Sequence, residues 1–173
     1  VMEAEEDSIL EIKYLDNVLR HIQLVQQNCI IVGKKLIEDG KTQLGRALIQ
    51  NSLKHDNSKL SGTEWDYIKI IDKKLNKVEK AGLAFAVQQH AQTNPHHPEY
   101  WGTIHEMPEV YVIEMVCDWL ARANEFGTDL REWIAEEATK RFGFSSNDPV
   151  YDMIFKYVNM LCKEPFKKIS PEK

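Results

Sequence analysis

His21, His55 with Asp56, His90, His96 with His97, and Asp118 set imidazoles and carboxylates along the chain in the order H…HD…H…HH…D. That order takes up five of the six histidines. Imidazole nitrogen combined with carboxylate oxygen suits Fe, Mn, Zn, Ni or Co, and a shared aspartate is the usual bridge between neighbouring ions. The expected cofactor is therefore a pair of divalent transition-metal ions, and the expected chemistry is metal-assisted.

A plainer alternative stands beside each ligand. A single histidine such as His21 on a helix is often a surface or core residue. His55-Asp56 in SLKHDNSKL also reads as a helix end followed by an Asx turn. His90 suits a helix C-terminus, where the dipole favours it, and His96-His97 suits a loop. Asp118 in VIEMVCDWLARA is set among apolar residues, where a carboxylate needs a cation, and Arg122 one turn on is a candidate partner. Taken singly, each alternative is acceptable. Accidents would seldom produce this order on separate helices.

The elements that must carry these residues read as helices. Ile9, Ile12, Leu15, Leu19, Ile22 and Val25 recur every three or four residues, the spacing of one buried helix face. That first helix is expected to run from Ser8, as N-cap, toward Gly40, with Gly33 a weak point inside it. A second, from Thr42 to about Lys54, leads into His55-Asp56. Ser61 or Thr63 can cap a third, with Glu64 and Asp66 in its first turn. A fourth, from Val78 to about Gln92, carries His90. NPHHPEYWGTIHEMP then breaks the pattern, and its Tyr100, Trp101 and Ile104 are too apolar for a solvated linker. Pro108 opens a fifth helix ending near Gly127, with Val110, Ile113, Cys117 and Leu120 inward. Two more, from about Asp129 to Phe142 and from Pro149 to about Cys162, complete an all-α domain over residues 1–163, a compact helical bundle with a mobile tail at 164–173.

Composition narrows the function classes. The length, 173 residues, suits one domain with a real core. A formal charge of −5 argues against a nucleic-acid partner held by a basic face. No run is apolar for the roughly 18 residues that a membrane span needs, and VMEAEEDS lacks the layout of a signal peptide. Cys29, Cys117 and Cys162, odd in number and in apolar settings, read as reduced core thiols. The expected compartment is cytoplasmic. Oligomeric state is not legible.

The same residues resemble the HD-domain metal-dependent phosphohydrolases, most closely the branch with the HD-GYP ligand order. HDNSK, His55 to Lys59, looks like the segment there whose lysine contacts substrate phosphate. HHPEYW resembles the paired-histidine segment, and EMVCDWLA looks like the helix that carries the last aspartate. The resemblance spans roughly Leu15 to Asn124. HDNSK with NPHHPEYW is also similar to a family of small bacterial and phage proteins of unassigned function. No GYP triplet follows His97, and Pro98 stands before Glu99, which separates this chain from the cyclic-dinucleotide members.

The resemblance implies an HD-like fold, with one ion held by His21, His55, Asp56 and Asp118. A second ion would share Asp56 and take His90 with His96, His97 or both. Asp56 and Lys59 are then the catalytic candidates, Lys59 steadying phosphate as a point charge. Tyr100, Trp101 and His105 are weaker substrate-binding candidates, as is Lys54, and Tyr100 and Trp101 equally suit anchoring the loop. Glu114, one turn before Asp118, suits a partner for a metal-bound imidazole. The expected activity is that of a phosphohydrolase or phosphodiesterase acting on a nucleotide or other small phosphate ester, through water activated between two metals. Two other readings compete: a di-iron oxygenase cleaving a C–H or C–P bond, and a non-enzymatic helical binding protein with incidental or structural metal.

Overall fold

A computed structural model describes residues 2–164. The expected tail at 164–173 lies, Glu164 apart, outside the described residues. The chain is all-α, with no strand among the described residues. Its helices are α1 (Met2–Glu38), α2 (Thr42–Ser52), α3 (Gly62–Ile68), α4 (Lys77–Thr93), α5 (Glu109–Phe126), α6 (Leu130–Trp133), α7 (Thr139–Phe142) and α8 (Pro149–Leu161). Short 3-10 turns at Asn57–Leu60, Pro98–Trp101 and Ile104–Glu106 link them, and a π-helical turn at Ile134–Ala138 joins α6 to α7. No helix is long and apolar enough to cross a membrane among the described residues.

The centre of the fold is α5. From Val112 to Asp118 it is buried continuously, with Ala121 and Ala123 buried as well. Helices α1, α2 and α8 pack around it. Gly127 ends it in the left-handed conformation at φ 64°, a backbone region that costs glycine nothing.

The first helix departs from the expected one at both ends of the argument. Ser8 is not its cap: the helix begins at Met2, and the Ser8 hydroxyl donates back to the Ala4 carbonyl. Nor is the buried face the expected stripe. Ile9 and Ile12 are exposed at 65% and 68%, and Leu19 is exposed too. Burial begins at Val18 and continues through His21, Ile22, Val25, Cys29, Val32 and Leu36. Apolar spacing identified a helix correctly, but only its C-terminal half has a core to face.

Gly33 is a packing feature rather than a weakness. A Cβ there would lie 2.6 Å from the Ile49 side chain, and one on Gly45 would lie 2.5 Å from the Gly33 carbonyl oxygen. The two glycines let α1 and α2 approach backbone to backbone. A similar contact joins α3 to α4, where Gly82 lies against the Tyr67 ring. Asn76 and Glu79 close a reciprocal capping box at the start of α4. Ser61 precedes α3 without a side-chain capping bond. Cys29 and Cys117 are buried, Cys162 is partly so, and all three are unbridged.

Candidate metal centre

The site assembles where α1, the α2–α3 connection, α4, the histidine loop and α5 meet. His21 comes from α1, and His90 from the last turn of α4. After α2 the chain turns sharply at Asp56, the one non-glycine residue among those described with positive φ, at 55°. Aspartate tolerates this conformation better than most residues, yet it still carries strain of order 1 kcal/mol. The turn carries the Asp56 carboxylate inward beside His55, and both are almost fully buried. His96 and His97 sit in a loop that is pinned: the Trp101 indole N–H donates to the Pro95 carbonyl at 2.8 Å, and its ring lies 5.7 Å from Tyr111.

The two carboxylate oxygens of Asp56 face different histidines. Oδ2 lies 3.7 Å from His21 Nε2 and 3.5 Å from His55 Nε2. Oδ1 lies 3.2 Å from the Nε2 atoms of both His90 and His96. Asp118 Oδ1 stands 2.8 Å from His21 Nε2, and its Oδ2 is 3.6 Å from His96 Nε2. Three overlapping groups result: His21, His55 and Asp56; His55, His96 and Asp118; and Asp56, His90, His96 and His97. Within each group the ligand atoms all lie within 4.8 Å of one another. All seven residues expected to bind metal therefore converge.

The far nitrogens of three imidazoles are committed elsewhere. Nδ1 of His21 lies 3.2 Å from both Glu125 oxygens, Nδ1 of His55 is 3.0 Å from Glu114, and Nδ1 of His90 is 2.8 Å from Glu64. A carboxylate only accepts, so these contacts assign each proton to Nδ1 and leave the Nε2 lone pair pointing at the centre. The Nε2 atoms of His21, His55, His90, His96 and His97, together with Asp56 Oδ1, are buried without a protein hydrogen-bond partner. Lone pairs opposing carboxylate oxygens at such distances repel unless a proton or a metal ion lies between them. Ligand atoms about 2.1 Å from a shared ion are roughly 3.0–3.4 Å apart, close to the N···O spacings seen here. The residues present fit a metal ion.

Electrostatics without a metal follow the same logic. Burial opposes a charge on His55, but Asp56, Glu114 and Asp118 outweigh it and push its pKa up to about 9. Burial, and then His96, hold His97 down to about 3. Burial works against ionised Asp56 and Asp118 too. His55 and Lys59 nevertheless keep Asp56 below the usual carboxylate range, and His21 and His55 do the same for Asp118.

Lys59 reaches the centre, its Nζ 2.9 Å from Asp56 Oδ2. Two cavities adjoin it. One, of about 400 Å³, is lined by Lys59, His90, His97 and Asp118 and by Trp119, Trp133, Arg141 and Phe142. The other, of about 640 Å³, reaches His21 and shares Lys59, Arg122 and Phe126 with the first.

The weaker expectations land elsewhere. Tyr100, Trp101 and His105 line neither cavity. Trp101 anchors the histidine loop, Tyr100 packs on it at 5.0 Å, and His105 is bonded to Thr103 and faces Asp148. Lys54 is exposed. Arg122 pairs with Glu125 at 3.1 Å rather than with Asp118. Glu64 and Glu125 were missed as imidazole partners. The signal for Glu125 was present, since Glu114, Asp118 and Glu125 share one face of α5 at spacings of four and seven. Glu64 gave no such signal, because the first turn of a helix accounts for an acidic residue by itself.

One family model matches residues 10–164, and its description is a family of unknown function, DUF5662. The chain belongs to that family. The match takes in every candidate ligand of the centre, the cavity-lining Trp119, Trp133, Arg141 and Phe142, and nearly all of the described fold. No curated protein and no solved structure matches this DUF5662 chain.

Proposed function

We propose that this protein is a two-metal phosphohydrolase acting on a small phosphate ester, a nucleotide for choice. The observation that carries the reading is the Asp56 carboxylate, whose two oxygens serve separate sets of imidazoles, with the Lys59 ammonium 2.9 Å from one of them. The H…HD…H…HH…D order and its resemblance to HD-domain phosphohydrolases support the same chemistry. Bound divalent ions supply charge neutralisation for a phosphoryl group and acidify water at neutral pH.

The chain's own residues do the positioning. Glu125, Glu114 and Glu64 fix the rings of His21, His55 and His90 and raise their basicity as ligands. Lys59, only 15% exposed, offers a compact positive charge at the junction of the two cavities. The planar group of a nucleotide finds apolar walls in Trp119 and Phe142. The three unbridged cysteines accord with a reducing, cytoplasmic setting.

Purified protein loaded with Mn, Co or Ni is expected to hydrolyse members of a panel of nucleotides and simple phosphate esters. Asp56→Asn should lower kcat at least about 100-fold, in line with loss of a metal-centred charge. An absence of turnover across the panel with all three metals would count against the proposal. The aromatic walls of the smaller cavity also suit an organic substrate of a di-iron oxygenase. Protein purified aerobically with about two irons per chain and a mixed-valent electron-spin signal would favour that second reading.

A further inference from the structure

The two cavities reach the centre at different ligands. The smaller touches His90, whose Nε2 faces Asp56 Oδ1, together with His97 and Asp118, and the larger touches His21, whose Nε2 faces Asp56 Oδ2. Lys59, Arg122 and Phe126 line both. A phosphoryl group beside Lys59, which lines both cavities, therefore has room for an organic group on each side of it.

The two spaces differ in chemistry. Around the smaller one, Trp119 lies 5.1 Å from Trp133 and 5.7 Å from Phe142. Arg141 lies 4.9 Å from the Phe142 ring centre, with its side chain 65% exposed. Aromatic walls beside a planar, weakly hydrated cation suit a flat aromatic group. The larger cavity presents Tyr14, Asn17, Asp72 and Asn124, a mixture of donors and acceptors that suits hydroxyl groups. Its volume of about 640 Å³ and the other's of about 400 Å³ both fall in the range of small-molecule sites.

We infer that the substrate is an unsymmetrical phosphodiester, with an aromatic arm in the Trp119–Trp133–Arg141 cavity and a hydroxylated arm in the Tyr14–Asn17–Asn124 cavity. The inference rests on the phosphate-ester reading above. In the reaction the oxygen of one water bonds to phosphorus and the bond to one arm breaks. The departing oxygen takes up the proton that the water gives up, so a diester and a water yield a monoester and an alcohol or phenol. Neither oxidant nor reductant is needed.

The test compares three probes with the Mn-loaded protein: p-nitrophenyl phosphate, bis(p-nitrophenyl) phosphate, and a nucleoside 5′-(p-nitrophenyl) phosphate diester. The mixed diester is expected to have a kcat/KM about tenfold or more above the other two. Arg141→Ala and Asn17→Ala, on opposite sides of the phosphate, should each raise its KM about tenfold with kcat changed much less. Preference for the monoester would overturn the inference and leave the phosphohydrolase reading intact. Hydrolysis of the mixed diester with KM unmoved by either variant would overturn the assignment of the arms. No turnover of any probe with Mn, Co or Ni would overturn both.

Discussion

At Asp56 the chain accepts an unfavourable backbone angle, complete burial and the company of Asp118 and Glu114. Such a combination persists only where surrounding groups hold it. His90 differs from Asp56 in serving one side of the centre only, because its Nε2 faces Asp56 Oδ1 while His21 and His55 face Oδ2. His90→Ala is therefore expected to reduce bound metal from about two ions per chain to about one, measured by elemental analysis of protein prepared without chelator. Glu64→Gln keeps the ring's ligand atom but weakens the partner at 2.8 Å that orients it. It should loosen the second ion about 10- to 100-fold and leave the first unaffected. Equal loss of both ions in either variant would count against two separable sites on either side of Asp56. That these residues converge was legible from residue type and order, and the part of Glu114 from its position one turn before Asp118. Glu64 was not legible: its contact with His90 crosses from α3 to α4 and depends on a hairpin closed by Tyr67 against Gly82. The aromatic residues that line the cavity were not legible for a related reason, since Tyr100 and Trp101 are close to the histidines in sequence while Trp119, Trp133 and Phe142 share a cavity with His90 and His97.

Helix α2 ends at Ser52, three residues before His55, so the placing of α2 against α1 sets the placing of His55 against His21. The contact that fixes it is the Gly33–Gly45 crossing. Sequence periodicity identified both helices, but it could not distinguish a glycine that weakens a helix from one that admits a neighbour. Nor could it tell that Ile9 and Ile12 lie beyond the reach of the core, because a helix face is buried only where another element covers it. Gly45→Ala would gain helix propensity of up to about 1 kcal/mol. The new methyl group, however, would meet the Gly33 carbonyl oxygen at 2.5 Å and Ile37 Cγ1 at 2.8 Å. A backbone oxygen cannot turn aside as a flexible side chain does, so the clash is expected to prevail. Net destabilisation of about 1–3 kcal/mol should appear in denaturant unfolding. Metal affinity should fall as well, read by calorimetric titration, because His21 and His55 would be spread apart. A stabilised variant with unchanged metal affinity would mean that the crossing has room to relax.

Across the whole molecule, the centre concentrates acidic groups in the interior of a chain already at −5. Asp56, Asp118, Glu114 and Glu64 are all buried around it. Bound metal ions would offset that charge independently of protons, whereas the metal-stripped protein must use protonated imidazole. His55, raised to about 9 from an unfolded value of 6.5, contributes stability that is fully present below pH 6.5 and lost as the pH rises through about 9. His97 acts in the opposite direction: held down to about 3, it stays neutral in the fold, so stability falls as the pH drops from 6.5 toward 3. Asp56 and Asp118, both lowered, add to the acid-side loss once the pH falls below their ordinary value of 3.8. The metal-stripped protein should thus be most stable near pH 6.5, with a loss approaching about 3 kcal/mol by pH 9 from His55 alone. The loaded protein should behave differently, because metal binding favours deprotonated imidazole and so strengthens as the pH rises. The difference in Tm between chelated and Mn-loaded protein is therefore expected to widen between pH 6.5 and pH 9, measured by thermal melts at fixed ionic strength. A difference that stays constant over that range would imply that the histidines of the apo centre are not the groups compensating its carboxylates.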